Sequence, residues 1–175
     1  MANPIEQVAA KAAGTAKAVK AGFNGLRGVF LHLAEEHGEV GSLMKRVSKS
    51  TDAVVRRDHY PQIRNELLAH ERGELASVYS ALNDYETLRS IVLEHQAEAK
   101  QLETAIAAVD SQDYDTLAWG NAFERLFALV QQHVEEEEKD FFPLAQKTIG
   151  NEETEALLKR YEAAKQSAKQ RIVPV

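Results

Sequence analysis

The sequence contains no cysteine, and this absence excludes several kinds of chemistry at once. A chain without thiols has no disulfide bonds, no cysteine nucleophile and no thiolate-bound zinc or iron–sulfur site. Glycine and proline are also scarce, with 9 and 4 residues among 175. Because both residues interrupt helices and mark tight turns, their scarcity favours a helical protein.

Long hydrophobic runs and an excess of basic residues are missing as well. No stretch approaches the roughly 18 apolar residues of a membrane-spanning helix, and the first 22 residues lack the pattern of a secretory signal. The net charge of −6 argues against a nucleic-acid partner, which requires a basic surface. We therefore expect a cytoplasmic protein without a membrane or nucleic-acid partner. Its oligomeric state is left open.

Apolar residues recur at the three- and four-residue spacing of amphipathic helices along most of the chain. The pattern predicts helices at about 26–48, 61–82, 85–109, 116–147 and 152–170, with Pro61 in a first turn and Pro143 as a bend. The predicted fold class is all-α, an antiparallel up-down-up-down four-helix bundle over residues 25–148. Residues 1–24 form an alanine- and lysine-containing segment, helical or mobile, and residues 150–175 a short extra helix and tail.

Four of the six histidines fall on the apolar stripe of their own predicted helix, one in each helix of the bundle. They are His37, His70, His95 and His133. His37, for example, follows Leu33 by four residues and precedes Val40 by three, so its imidazole should point into the core. One such histidine is usually a hydrogen-bonded core residue. Four of them, one per helix, indicate a shared site.

Two of these histidines are followed one helical turn later by a carboxylate on the same face. Glu74 follows His70 and Glu137 follows His133, each at i+4. A carboxylate in a bundle core is costly unless a cation accompanies it. The two pairs therefore favour a metal site.

The remaining histidines and nearby acidic residues are predicted to lie at the surface. His32 and Glu36 have the same spacing, but His32 lies about 140° from the apolar stripe at 100° per residue. His59 just precedes Pro61 and should lie near a helix start. The other members of the glutamate run, Glu135, Glu136 and Glu138, are predicted to form an exposed face.

The number of donors indicates two metal ions. Four imidazoles and two carboxylates exceed the four ligands of a structural zinc ion, and calcium and magnesium prefer oxygen ligands alone. If both glutamates bridge two ions and a solvent-derived oxygen does the same, each ion receives about five bonds. The mixed nitrogen and oxygen donors favour iron, with manganese or zinc as substitutes.

The order of these residues resembles the H…HxxxE…H…HxxxE signature of the hemerythrin-like HHE cation-binding domains. It is carried by His37, by residues 70–74, by His95 and by residues 133–137, and the resemblance covers about residues 26–147. Each HxxxE is common alone, but four elements in order on four helices form a fairly specific signal. The resemblance implies a left-handed four-helix bundle with an oxo- or hydroxo-bridged di-iron centre. It also implies four terminal histidine ligands and two bridging glutamates.

Two positions depart from the pattern of the oxygen-carrying hemerythrins. Ala99 stands where those proteins have a second histidine in the third helix, and the carboxylate at Glu137 is not an aspartate at i+5. Reversible oxygen carriage is therefore disfavoured. Glu71 is the first candidate for an additional ligand and Glu98 the second. A ferritin-like site is also disfavoured, because no histidine here has a glutamate three residues before it.

Three functions are compatible with these patterns. The first is a di-iron protein whose open coordination position binds or reduces dioxygen, peroxide or nitric oxide, with peroxide disproportionation left open as an enzymatic side activity. The second is a non-catalytic iron or oxygen sensor or an iron store, and the third is a metal-free helical interaction module. The residues expected to line the ligand pocket are Phe30, Leu33, Ile91, Leu126 and Phe141.

Overall fold

The structure, a computed structural model, describes residues 4–174, and these residues form helices without a strand. The helices are α1 (Pro4–Phe23), α2 (Gly28–Ser48), α3 (Ala53–Ala76), α4 (Val78–Leu82), α5 (Arg89–Asp110), α6 (Leu117–Glu136) and α7 (Phe142–Lys169). A π-helical turn, Glu137–Phe141, joins α6 to α7. Within the described range, no helix combines the length and apolar character that a bilayer crossing requires. The predictions for residues 1–3 and 175 lie outside the described residues.

Helices α2, α3, α5 and α6 surround the core. Helix α2 contacts α3 and α6, and α5 contacts the same two helices. The apolar core is divided into two clusters, and along each helix the site histidine falls between them. In α2, for example, Leu33 belongs to one cluster and Met44 to the other, with His37 between them. The four histidines therefore form a polar layer between two apolar layers.

Helix α3 begins eight residues before Pro61, so the predicted start of this helix is wrong. The side chain of Asp52 caps the helix by accepting a hydrogen bond from the Val54 N–H at 2.8 Å. A proline in a helix interior costs about 3 kcal/mol. The adjacent Tyr60 is buried and donates a hydrogen bond to Asp110 at 2.7 Å. Tertiary packing thus offsets the local preference of the proline.

The helix departs from regular α geometry just before Pro143, where the sequence predicts a bend, and the predicted separation of two helical segments near residue 150 is confirmed. Because Pro143 has no N–H, the regular hydrogen bond of an α-helix cannot form there. The preceding turn widens, and the Phe142 N–H donates to the carbonyl of Glu137, five residues earlier. Gly150 then breaks α7 with φ of 80°, a conformation that glycine tolerates best. The helix nevertheless resumes and continues to Lys169.

The alanine-rich N-terminal segment forms helix α1 and packs along α2, so the helical alternative holds for its described residues. The two helices approach most closely at two glycines. A Cβ atom on Gly38 would lie only 2.8 Å from the Cα atom of Gly14. Small residues at this crossing allow the backbones to come into direct contact.

His59 contacts α1 from the interior of α3. The prediction that it lies at the surface is wrong, because its side chain is buried. Its Nδ1–H donates to the carbonyl of Val55 at 2.8 Å, and its Nε2 contacts the carboxylate of Glu6. Glu6 also forms an ion pair with Arg46 of α2. The three helices are therefore joined by one buried polar contact and one ion pair.

We expect Gly38→Ala to lower the free energy of unfolding by about 1–3 kcal/mol, the usual cost of overpacking. The added methyl group would lie 2.8 Å from Gly14 Cα and 2.9 Å from the carbonyl of Ala13. Gly41→Ala in the same helix is the control, because a Cβ atom there meets nothing within 4 Å. Urea unfolding measures both variants. Equal stability would contradict the close crossing of α1 and α2.

Candidate metal centre

Four helices bring the four predicted histidines into one buried layer. His37 of α2 faces His70 of α3, with their Nε2 atoms 3.1 Å apart. His95 of α5 lies beside His133 of α6, with ring centroids 5.3 Å apart. None of the four side chains is more than 9% exposed. The helical spacing in the sequence and the packing of the helices therefore agree at this layer.

The two predicted carboxylates lie among these imidazoles. Glu137 lies between two of the helices, with its Oε2 atom 3.3 Å from His37 Nε2 and 3.5 Å from His133 Nε2. The Oε2 atom of Glu74 is 3.2 Å from His70 Nε2. Both carboxylates are completely buried. The carboxylate of Glu137 therefore contacts a histidine of α2, His37, and a histidine of α6, His133.

Glu71, the first candidate for an additional ligand, also enters the layer. Its side chain is buried, and its Oε2 atom lies 3.7 Å from His133 Nε2. We call the imidazoles and carboxylates that face the interior of the layer the inner donors. Six of them form two groups whose ligand atoms lie within 4.8 Å of one another. One group consists of His37, His70 and Glu137, and the other of Glu71, Glu74 and His133. His95 and His133 form a third such group with Glu98.

Five buried side-chain atoms in the described part of the chain have no hydrogen-bond partner, and all five belong to this layer. They are Glu71 Oε1, both carboxylate oxygens of Glu74, His133 Nε2 and Glu137 Oε2. An unsatisfied buried group costs about 1–3 kcal/mol, and a charged group costs more. Ionised carboxylates cannot satisfy one another, because they only accept hydrogen bonds. Metal cations would satisfy all five atoms, so the residues present fit such ions.

Each imidazole presents its Nδ1 atom to a carboxylate on the outside of the layer. The distances are 2.8 Å from His37 to Glu138, 2.8 Å from His70 to Glu36, and 3.0 and 2.9 Å from His95 and His133 to Glu98. A carboxylate at Nδ1 keeps the proton on that nitrogen and leaves the Nε2 lone pair for a metal. This shared orientation is typical of metal-binding histidines.

Two buried tyrosines extend this outer set of hydrogen bonds. Tyr161, from α7 beyond the break, donates to Glu36 at 2.5 Å and lies 3.0 Å from His70 Nδ1. Tyr79 of α4 donates to Glu137 Oε1, and its ring stacks on His95 at a centroid distance of 5.7 Å. Both hydroxyl groups therefore help to fix the position of an inner donor. Sequence periodicity marks both tyrosines only as core residues.

Glu36 contacts the histidine layer, although the sequence pattern does not indicate it. The prediction that it forms a solvated pair with His32 is wrong, because Glu36 is the hydrogen-bond partner of His70. It also receives contacts from Lys165 Nζ at 2.8 Å and from His32 Nε2 at 3.1 Å. Glu36 lies one residue off the apolar stripe of α2. That offset directs it toward α3 and α7, whose positions the sequence pattern does not supply.

The glutamate run at 135–138 is only partly exposed. Glu135 is exposed, as predicted, but the prediction for Glu138 is wrong. Its carboxylate lies 2.8 Å from His37 Nδ1 and 2.6 Å from Lys17 Nζ of α1. Glu136 is half-buried. A repeated residue type conceals that Glu138, like Glu137, contacts a site histidine.

A cavity of about 580 Å³ leads from the histidine layer to the surface. His37, His70, Glu71 and His133 form part of its wall. The five apolar residues predicted to line the ligand pocket do not line this cavity, so that prediction is wrong. Phe30, Leu33, Ile91, Leu126 and Phe141 pack in the apolar clusters instead.

Burial and charge shift the pKa values of the inner donors in opposite directions. Burial raises the pKa of Glu71 to about 8, although the positive charge of His133 opposes this shift. Burial alone would lower the pKa of His133, but the charge of Glu137 and a hydrogen bond to Glu98 raise it to about 10. Without a metal ion, Glu71 is therefore uncharged at pH 7 and His133 is positively charged.

We expect Glu98→Ala to weaken metal binding by roughly 10–100-fold, the usual effect of removing a partner of a metal-binding histidine. The substitution removes the carboxylate at Nδ1 of both His95 and His133. Glu94→Ala is the control, because Glu94 is exposed on the same helix. Competition with a chelator of known affinity measures both variants. Equal affinities would show that Glu98 does not orient the donors.

We expect metal binding at pH 7 to release at least one proton per chain. A cation requires a free lone pair on each donor, so it displaces the proton of Glu71 and the Nε2 proton of His133, and a lower pH weakens binding. One displaced proton changes the apparent affinity about tenfold per pH unit. Chelator competition between pH 6 and pH 8, corrected for protonation of the chelator, measures this slope. An affinity independent of pH would contradict the prediction.

The chain is similar to known proteins over the region that contains this site. The sequence profile of the hemerythrin HHE cation binding domain matches residues 29–145, more than half of the chain. A curated protein of Nostoc sp., named DNA nickase, is 24% identical over 139 residues, which cover 78% of this chain and 39% of that protein. No solved structure matches the chain significantly. The profile match includes all of the predicted metal donors, and the chain belongs to the hemerythrin HHE cation-binding domain family.

Proposed function

We propose that this chain binds two iron ions within the histidine layer and uses an open coordination position to bind or reduce a small oxidant. Dioxygen, peroxide and nitric oxide are the candidate oxidants. The observation that carries the proposal is the set of five buried polar atoms without hydrogen bonds, beside histidines whose Nδ1 atoms contact carboxylates. We assign His37, His70, His95 and His133 as terminal ligands, Glu74 and Glu137 as bridging ligands and Glu71 as an additional ligand.

The donor set supports iron over the other common metals. Imidazole and carboxylate together suit iron, whereas calcium and magnesium favour oxygen alone and a structural zinc ion takes four ligands. Manganese and zinc are the expected substitutes, and an oxo or hydroxo bridge would complete the centre. When bound, the iron ions supply the electron transfer, and the protein supplies binding, orientation and exclusion of water.

The side chains around the layer have distinct tasks in this proposal. Glu36, Glu98 and Glu138 hold the Nδ1 protons of the histidines, so that the Nε2 atoms point inward. Tyr79 donates to one oxygen of Glu137 and leaves the other oxygen free for a metal ion. The apolar cluster that contains Phe30, Leu33 and Phe141 limits the access of water from one end of the layer, and the cavity lies at the other end.

The walls of the cavity support an antiparallel order of the four helices, which we include in the proposal. The apolar cavity residues follow the histidine in α2, where Val40 comes after His37, and precede it in α3, where Leu67 comes before His70. If one helix runs toward the cavity and its neighbour runs away from it, the two helices are antiparallel. Residues 25–148 form the bundle in this scheme, flanked by segments 1–24 and 150–175.

We expect the purified chain, prepared without a metal-binding tag or chelator, to contain about two iron ions per molecule. His70→Ala and Glu137→Ala should each lower this content strongly, because each removes an inner donor. Glu135→Ala is the control for Glu137→Ala, since Glu135 is exposed in the same segment. Elemental analysis with an absorption spectrum measures the content. Less than about a tenth of a metal ion per chain, with no uptake of ferrous iron under anaerobic conditions, would refute the proposal and favour the metal-free interaction module.

The reaction with peroxide separates the oxidant-reducing protein from a sensor or an iron store. Consumption of hydrogen peroxide that is lost in His70→Ala supports reduction. A large fall in melting temperature after chelation, without consumption of peroxide, supports a non-catalytic role in which binding energy stabilises the fold.

The name of the Nostoc relative raises DNA nicking as another activity to measure. The similarity covers only 39% of that protein, and the net charge of −6 on this chain disfavours contact with phosphates. We therefore place nicking behind the reaction with small oxidants. Relaxation of supercoiled plasmid by the iron-loaded chain would reverse this order.

A further inference from the structure

The cavity extends from the histidine layer toward one end of the bundle. Most of its apolar wall residues in the central helices follow the histidine in α2 and α5 and precede it in α3 and α6, namely Val40, Leu43, Leu67, Leu68, Leu102, Ile106 and Val130. Val134, next to His133, is the exception. Leu43 is six residues from His37, and Ile106 is eleven residues from His95. At 1.5 Å per residue, the wall therefore reaches roughly 9–16 Å from the layer along the helix axes.

The cavity is far larger than a small oxidant requires. Its volume of about 580 Å³ lies in the range of roughly 300–1,000 Å³ that pockets for organic molecules occupy. Hydrogen peroxide and dioxygen are close in size to a water molecule, which takes about 30 Å³ in the liquid. A diatomic ligand would leave most of the apolar wall in contact with water, which is unfavourable. The size and the wall therefore favour a ligand with a carbon skeleton.

Four charged groups of the cavity, Glu36, Glu66, Lys165 and Lys169, are paired with one another. Lys165 Nζ lies 2.8 Å from Glu36 and 3.1 Å from Glu66, and Lys169 Nζ lies 2.7 Å from Glu66. These two lysines are therefore already neutralised by protein carboxylates. The side chains of Val40, Leu67 and the other wall residues offer dispersion contacts and no hydrogen bonds. An uncharged carbon skeleton matches such a wall.

We propose that the substrate is an organic hydroperoxide whose alkyl or aryl group fills the apolar cavity while its peroxide group faces the histidine layer. This inference rests on the proposed function and names the substrate class of the same site. In the reaction, the O–O bond of ROOH breaks, and two electrons and two protons give ROH and water. Two ferrous ions held by the histidine layer would supply one electron each, and a one-electron reductant such as ascorbate would restore the ferrous state.

The first test measures binding without any turnover. The probe is 2-phenyl-2-propanol, the alcohol formed from cumene hydroperoxide, and calorimetry follows its binding to the metal-free full chain. Val40→Phe and Leu67→Phe narrow the cavity from two neighbouring helices, and both residues are half-buried at its wall. Leu129→Phe is the control, since Leu129 is half-buried in α6 but does not line the cavity. We expect at least about tenfold weaker binding in both cavity variants and unchanged binding in the control.

The second test uses the iron-loaded chain with ascorbate. The readout is the ratio of kcat/KM for cumene hydroperoxide to kcat/KM for hydrogen peroxide. This ratio should fall about tenfold or more in Val40→Phe and Leu67→Phe and stay constant in Leu129→Phe, because only the larger substrate occupies the cavity. Circular dichroism confirms that each variant is folded before its ratio is interpreted.

The two tests separate failure of this inference from failure of the proposed function. Reduction of hydrogen peroxide without binding of the alcohol, or equal ratios in all variants, would overturn the inference alone. Binding of the alcohol without reduction of either peroxide would overturn the proposed function and with it the assignment of a hydroperoxide substrate.

Discussion

The arrangement of the site depends on three carboxylates that are buried between two apolar clusters. Glu71, Glu74 and Glu137 lie at a level of the bundle where the cationic partners within reach are imidazoles. An ionised carboxylate far from water is tolerated only beside positive charge. The same layer contains two imidazoles, His37 and His70, with their Nε2 atoms in contact. Carboxylate and imidazole donors thus face one space, and metal ions would neutralise the acids without protonating the histidines. Binding of metal ions in this layer would therefore also stabilise the fold.

The elements outside the four central helices take part in the same network. Helix α7 contributes Tyr161, which contacts Glu36 and His70. Tyr161 lies beyond the segment that matches the family profile. Helix α1 contributes Lys17, which pairs with Glu138. Because both contacts end on partners of site histidines, the outer helices help to orient the donors as well as to cover the core. The part of the chain that positions the site is therefore larger than the part that carries its signature.

Helical periodicity was sufficient to predict which residues share the polar layer, because one residue every three or four on an amphipathic helix faces the core. It therefore selected His37 and Glu137 without knowledge of the fold. Periodicity failed where the answer depended on a neighbouring helix, as for Glu36 and Glu138, since an off-stripe residue is buried or exposed according to what packs against it. It also failed at Pro61, where the burial of adjacent residues outweighs a local preference. The cavity was missed because an incompletely filled space between helices leaves no mark on the pattern of one helix.

Helix α1 lines the cavity and also contacts the hydrogen-bond partner of a site histidine. It can therefore affect both entry to the site and the basicity of that histidine. Gln7, Ala10 and Lys11 of this helix line the cavity, while Lys17, two turns further on, contacts the carboxylate that holds the Nδ1 proton of His37. A displacement of α1 would widen the passage and, at the same time, remove the lysine that offsets the negative charge behind the imidazole. The basicity of that ring, and hence its donation to a metal ion, would rise as the passage widened. A shift of this helix as a whole would therefore change the size of the admitted molecule and the electron donation to a bound metal ion together.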